Sequence, residues 1–313
     1  MDALLEWKSR VLLEGLDAGS PAAKPAAEAA RQSELARELL AGRLADGTLP
    51  YHPYNKWRGA HWVLTCLADL CYPAGDASLQ PLLGQVYTWL FSKEHLMSIR
   101  TLEGRTRRCA SQEGNALYST LVLGLQEPRV QELAERLVRF QWPDGGWNCD
   151  KHPEASTSSF NESLIPMRAL SRYARQSGDP EAANAVERCA EFFLSRRLFR
   201  RRTNGQVIDG KFIQLHYPAY WHYDILMGLK VMAEAGYLGN PRCQEALALL
   251  ESKRLPDGGW PAEARYYRTN CSPEEAQKAA SSCSPVDWGG TSVRHSNPYV
   301  TVDAQFVLKC AAN

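Results

Sequence analysis

The sequence has almost no net charge to offer a polyanion. Its 36 Lys and Arg residues are matched by 35 Asp and Glu, which leaves +1. Bulk electrostatics therefore imply neither nucleic acid nor an anionic membrane as partner. A long hydrophobic run is also lacking: no stretch approaches the roughly 20 apolar residues that cross a bilayer. The nine cysteines contain no CxxC pair. Their odd number and scattered spacing point to reduced thiols, not to a disulfide framework. The opening MDALLEWKSRVLLEG is too charged for a signal peptide and reads as an amphipathic helix, so a cytoplasmic location is expected. Strand patterns are sparse. No DDxxD-like acidic cluster occurs, which removes support for diphosphate ionisation by Mg²⁺.

Aromatic residues are plentiful, with nine Trp and thirteen Tyr, enough to line an apolar cavity or to fill a core. A repeat organises them. Gln141-Trp142-Pro143-Asp144-Gly145-Gly146-Trp147 and Arg254-Leu255-Pro256-Asp257-Gly258-Gly259-Trp260 share one turn. Pro presets φ, Asp bonds the backbone ahead and Gly accepts positive φ. Looser copies are Arg43…Asp46-Gly47, Arg100…Glu103-Gly104 and Arg201…Asn204-Gly205. The turn glycines at 47, 104, 145, 205 and 258 lie roughly 40 to 60 residues apart, room for two helices and two connections.

An amphipathic helix is expected before each turn: 33–44, 81–92, 129–140, 182–195 and 241–252. A more apolar one is expected after it: 57–70, 109–123, 157–174, 220–235 and 299–311. This predicts an all-α chain, 1–313, folded as one (α/α)5-6 toroid of concentric inner and outer helices. The segment 3–13 would supply a sixth inner helix. The last helix is of the apolar inner type, so it would be exposed unless the ring closed on the first. The long connection 261–296 is a candidate lid.

The segment Gln141–Trp147 matches the QW motif, Gln-x-x-Asp-Gly-x-Trp, of squalene-hopene cyclases, and Arg254–Trp260 matches it apart from Arg at the Gln position. The chain thus resembles the terpenoid-cyclase and protein-prenyltransferase group. The resemblance implies that Gln141, Trp147 and Trp260 clamp helices together. It also implies a reaction in a central cavity near the inner-helix N-termini, on an apolar, isoprenoid or polycyclic substrate. A non-catalytic toroid that binds a lipid-like ligand or a partner is the alternative. The cyclase Asp-x-Asp-Asp is absent, its nearest counterpart being the lone Asp303, and so is the Asp-x-Cys of the prenyltransferase zinc site. His222 resembles the zinc His. No metal site is expected as the leading reading; a zinc-dependent transferase with a site rebuilt from Cys149, Asp150 and His222 is the alternative.

Polar residues concentrate at the starts of the expected inner helices. Glu113, Glu162, His222 and Asp224 are the acid–base candidates, with Glu162 or Glu113 as partner for His222. Trp57, His61, Cys109, Gln112, Asn161, His216, Tyr217, Tyr220, Trp221, Tyr223, Asp287 and Trp288 are expected to line the cavity. On a helix, His61 would lie one turn beyond Trp57. Ser159 and Glu162 have capping-box spacing. The arginines before Cys109 and the helix N-terminus it opens would both lower its pKa. The Arg run 196–202 is a solvated loop or a diphosphate cradle.

Overall fold

The computed structural model describes residues 2–272, 274–275, 278 and 281–312. Among these the chain is helical, apart from one hairpin of β1 (Arg100–Leu102) and β2 (Arg105–Arg107) around Gly104. The more apolar helices are α1 (Ala3–Ser9), α4 (Ala60–Asp69), α7 (Ala110–Val122), α9 (Phe160–Ser177), α11 (Ile225–Ala235) and α13 (Pro298–Ala312). The chain leaves α1 through a π-turn, Arg10–Glu14. The amphipathic set is α3 (Glu34–Leu40), α5 (Gln80–Leu90), α8 (Val130–Arg139), α10 (Pro180–Leu194) and α12 (Gln244–Ser252). Two helices not anticipated from the sequence, α2 (Lys24–Arg31) and α6 (Lys93–Ser98), fill connections.

The two sets differ in burial as their patterns require. Every residue from Ala60 to Ala68 in α4 is buried, and every residue from Ile225 to Met232 in α11, whereas α8 buries one stripe, Leu133, Ala134, Arg136 and Leu137. The buried helices pack in sequence: α4 on α7, α7 on α9, α9 on α11 and α11 on α13. α7 and α9 approach closely at Gly114, where a Cβ would lie 2.8 Å from Pro166 N. α13 packs on α1 and its π-turn, where Lys309 Nζ donates to Leu13 O. The amphipathic helices back this set, with α5 on α4, α8 on α7, α10 on α9 and α12 on α11.

All five turn glycines have positive φ, from 69° to 96°. Three turns close identically: Gly47, Gly145 and Gly258 donate to Leu44, Trp142 and Leu255 O, and the latter three N–H groups return to Thr48, Gly146 and Gly259 O. The two clearest copies are bolted to a buried helix in the same way. Trp147 N donates to Ser163 Oγ and Trp260 N to Thr301 Oγ1, while the indoles donate to Leu137 O and Leu250 O. Gln141 Nε2 donates to Gly145 O and Ala185 O, tying the turn to α10. Arg254, at the equivalent position, donates to Gly258 O and stands over the Trp260 ring.

This geometry sets up a stability test. Gly145 has φ +96°, and a Cβ there would lie 2.3 Å from Arg188 O. Gly258 has φ +84° but open space around it. Gly145→Ala is expected to cost about 3 kcal/mol, from backbone strain plus overpacking. Gly258→Ala should cost only the left-handed term, about 1 kcal/mol. Urea midpoints of the two variants would read the difference.

Three sequence expectations are corrected. The helix expected over 220–235 begins only at Ile225, because Tyr220 is left-handed with φ 54° and Asp224 caps the first turn through Met227 N. Trp57 is likewise left-handed at φ 67° and precedes α4, so it does not share a helix face with His61. The cysteines are not all reduced: Cys271 and Cys283 form a disulfide within the long loop. Twelve residues of separation with Cα atoms 6.2 Å apart allow it.

Candidate functional site

Five buried helices meet in charge rather than in empty space. Lys8 of α1, Asp69 of α4, Arg168 of α9, Lys230 of α11 and Asp303 of α13 form one network. Lys230 Nζ lies 2.8 Å from Asp69 Oδ1 and 2.9 Å from Asp303 Oδ1. Lys8 Nζ lies 2.8 Å from Asp303 Oδ1 and 3.5 Å from Asp69 Oδ2. Arg168 reaches Asp69 at 3.2 Å and grips both oxygens of Glu234. Burial alone would raise the Asp69 pKa, but Lys230, Lys8 and Arg168 overcome it and hold the carboxyl well below its usual range.

The loop before α11 closes the remaining space. Tyr220 stacks on Trp62 at an interplanar angle of 6°, and its hydroxyl lies 2.5 Å from His61 Nδ1. Tyr217 stacks on Tyr299, under the Lys8 ammonium. A void of only about 10 Å³ remains between Tyr220, Asn115, Arg168 and Met227. The expectation of a roomy aromatic centre is therefore corrected: aromatic side chains fill it and six charges pair across it.

The polar residues singled out from sequence divide into three groups. Asp224 caps α11 through Met227 N and accepts from His216 N, and its Oδ2 sits 2.8 Å from His216 Nδ1. His222 does not meet Glu113 or Glu162; it stacks on Tyr266, with Trp221 on its other side. Burial, then His216 and Lys56, pushes the His222 pKa down to about 3. Asn161 Oδ1 accepts from Tyr223 N, Tyr223 packs among Phe160 and Phe193, and Asp287 caps Gly289 N. Trp57 and Trp288 are buried against Tyr267 and Tyr299. The start of the 261–296 connection thus packs on the 215–223 loop, with Glu263 N donating to Leu215 O and Tyr266 stacked on His222.

Glu113 belongs to a second group. It is buried between the guanidinium groups of Arg108 and Arg136. Arg136 also donates to Leu90 O, so the carboxylate ties α7 to α8 and to the end of α5. The capping box expected at Ser159 does not form. Glu162 instead reaches across to α7 and accepts from Ser111 N at 2.9 Å.

The third group runs from the exposed Cys109 through the half-buried Cys149 to the buried Glu162. Cys109 at the N-terminus of α7, Cys149 after the Gln141–Trp147 turn, and Glu162 in the first turn of α9 bring their donor atoms within 4.8 Å of one another. Cys149 Sγ is 3.6 Å from Glu162 Oε1. A hydrogen bond from Cys149 lowers the Cys109 pKa, with Lys151 and Arg108 assisting, so the first thiolate of the pair resides on Cys109. Burial raises Glu162, which favours its protonated form. Asp150 does not join this cluster. It turns outward and holds His152 N, and His222 is stacked on Tyr266, so the alternative Cys149–Asp150–His222 grouping does not assemble, whereas Cys109, Cys149 and Glu162 do come together.

The cluster opens into a cleft. A small bay of about 130 Å³ is lined by Cys109, Cys149, Gln112, Arg107 and Lys151. His95 and Ser98 line this bay and also a larger groove of about 880 Å³ between α5, α6 and the 48–53 loop. Trp89, Pro53, Pro81, Gly84 and His52 give that groove an apolar wall. Sequence patterning missed it, because Trp89 lies on an amphipathic helix whose apolar residues read as packing and His95 lies on α6, which was not anticipated.

Buried histidine makes stability pH-dependent. His61 is held by Tyr220 and by Gln112 O, and burial depresses it to about 4. An unfolded chain protonates histidine near 6.5. Between these values the unfolded state takes the proton and the native state does not. Stability is full above 6.5 and is lost as pH falls toward 4, by about 3 kcal/mol for this group. His61→Asn should therefore lose less of its urea midpoint than the parent between about pH 7 and pH 4.5.

No family model matches the sequence, and no curated protein matches it. Among solved structures, the crystal structure of a protein from Actinoplanes aligns with 99% of this chain and 90% of its own, at 17% identity and a TM-score of 0.44.

Proposed function

We propose that this chain is an (α/α) toroid of the terpenoid-cyclase and prenyltransferase design that acts as an enzyme at an eccentric cleft. Its ligand has an apolar body, lying along Trp89 and Pro81, and a polar reacting end at Cys109, Cys149 and Glu162. The reading rests on one observation: the apolar groove and the bay lined by Cys109 and Cys149 share His95 and Ser98 as a common wall, with Glu162 buried behind Cys149. An apolar groove with a few convergent polar groups and shifted pKa values at one end is the usual form of a ligand site. Contact of α13 with α1 and the run of neighbouring buried helices support a closed ring. The filled interior moves ligand binding from its centre to its rim.

Gly84 provides the test. It lines the groove, is not in the left-handed region, and a Cβ there would meet nothing within 4 Å. Gly84→Phe should fold normally and weaken an alkyl-chain fluorescent probe at least tenfold. In the parent protein the bound probe should quench Trp89 and shield Cys109 from iodoacetamide. Equal probe binding by parent and variant, or no protection of Cys109, would sink the reading.

A further inference from the structure

The two thiols and the carboxylate come from three separate segments, and nothing in local sequence requires them to meet. Cys109 precedes α7, Cys149 sits in the loop after the Gln141–Trp147 turn, and Glu162 belongs to α9. None of the three is consumed by an ion pair, unlike Glu113 nearby. Glu162 spends Oε2 on Ser111 N, which fixes the carboxylate and leaves Oε1 facing Cys149.

We propose that Cys109 Sγ, Cys149 Sγ and Glu162 Oε1 bind one Zn²⁺, with the fourth position open to the cleft. The distances fit. Zinc with sulfur at about 2.3 Å and oxygen at about 2.0 Å in tetrahedral geometry separates those two ligands by roughly 3.5 Å. The observed separation of Cys149 Sγ and Glu162 Oε1 is 3.6 Å. The donor set fits as well: two thiolates and one carboxylate suit Zn²⁺, whereas Mg²⁺ and Ca²⁺ demand oxygen throughout. Three protein ligands with one vacancy is the pattern of catalytic zinc, not of a closed structural site. Ser111 N supplies the outer hydrogen bond that orients a ligating carboxylate. The ion has an entry path, because the bay reaches the surface beside Cys109 and Lys151. Binding displaces the thiol protons to solvent, so affinity rises with pH.

The site deepens the proposed function and rests on it for its role, since Cys109 and Cys149 line the bay that shares His95 and Ser98 with the apolar groove. A ligand's polar head, or a water, would occupy it. Its existence is testable separately. The full chain, reduced and stripped with a chelator, is titrated with Co²⁺ as the spectroscopic stand-in for zinc, and with Zn²⁺ by elemental analysis. The expected result is one ion per chain, with thiolate-to-cobalt charge transfer in the near ultraviolet and intense visible bands of tetrahedral Co²⁺. Cys109→Ser and Cys149→Ser should each weaken the charge-transfer band. Glu162→Gln should keep that band but lower affinity by at least tenfold. Cys310→Ser, outside the site, should change nothing, and circular dichroism confirms that each variant is folded. Absence of Co²⁺ uptake by the reduced parent, or uptake that survives both Cys109→Ser and Cys149→Ser, would overturn the proposal. The same holds if Cys109 and Cys149 form a disulfide and the re-reduced protein still takes up no metal. Gly84→Phe should block the apolar probe yet leave Co²⁺ binding intact. Failure of the metal and failure of the groove are therefore read independently.

Discussion

Lys230→Met is expected to destabilise the protein by about 3–5 kcal/mol, the cost of breaking a buried ion pair from one side. Lys230 is the shared cation between Asp69 and Asp303, within 2.9 Å of both. Methionine matches its length but brings no charge. Asp69 would keep Arg168 at 3.2 Å and Lys8 at 3.5 Å, while Asp303 would depend on Lys8 alone. The network would then hold one more anion than cation. A second change should restore part of the loss. Lys230→Met with Asp303→Leu removes one charge of each sign, and a balanced or apolar replacement of a buried pair is often near neutral. Chemical denaturation of the single and double variants measures this directly. A single variant as stable as the parent would mean that water reaches the network.

Glu113→Gln carries a comparable penalty for the opposite reason. Its carboxylate is the anion between Arg108 and Arg136, and all three side chains are buried. Glutamine leaves two guanidinium groups facing each other with no counter-charge. About 3–5 kcal/mol should be lost, or roughly 5–10 °C in midpoint temperature for a chain of this size. The substitution also separates two roles for Glu113. A cleft acid would tolerate the isosteric amide with an unchanged melting temperature and lost turnover. A clamp between α7 and α8 melts. A thermal scan of Glu113→Gln beside Glu162→Gln decides, because Glu162 has no cationic partner and its amide should be close to neutral for folding.

The pattern of helices was legible because it is local. Pro-Asp-Gly-Gly chemistry marks turns wherever it occurs, and all five glycines picked from the sequence adopt positive φ. Amphipathic against uniformly apolar composition separated α8 from α4 and α11, since one face or every face must be buried. Asp224, expected as an acid–base residue inside a helix, caps α11 instead, because the helix starts five residues later than its apolar pattern suggested. The short α2 and α6 were not legible, because neither presents a long apolar stripe.

The site was readable only in pieces. Cys109 and Glu162 stood out as polar groups at helix starts, and Cys149 stood out as a thiol beside an acid. Their convergence depends on how the 148–159 loop lies across two helices, which no periodicity encodes. The ionic network left a fainter signal. Lys230, Arg168 and Asp303 each sit between apolar neighbours on a buried stretch of helix, and a buried charge needs a partner. Which partner it finds is set across long separations, such as the 161 residues between Asp69 and Lys230.

The sequence by itself determined an all-helical chain punctuated by a recurring turn, because φ preference and side-chain spacing act within a few residues. The tertiary structure alone decided what fills the middle. Lys8, Asp69, Arg168, Lys230, Glu234 and Asp303 neutralise one another only when their five helices are side by side, and Tyr220 plugs the rest by stacking on Trp62. Charges held apart by more than fifty residues of chain have no mutual energy in a list of letters. They acquire it when burial lowers the dielectric around them and brings them within 3 Å.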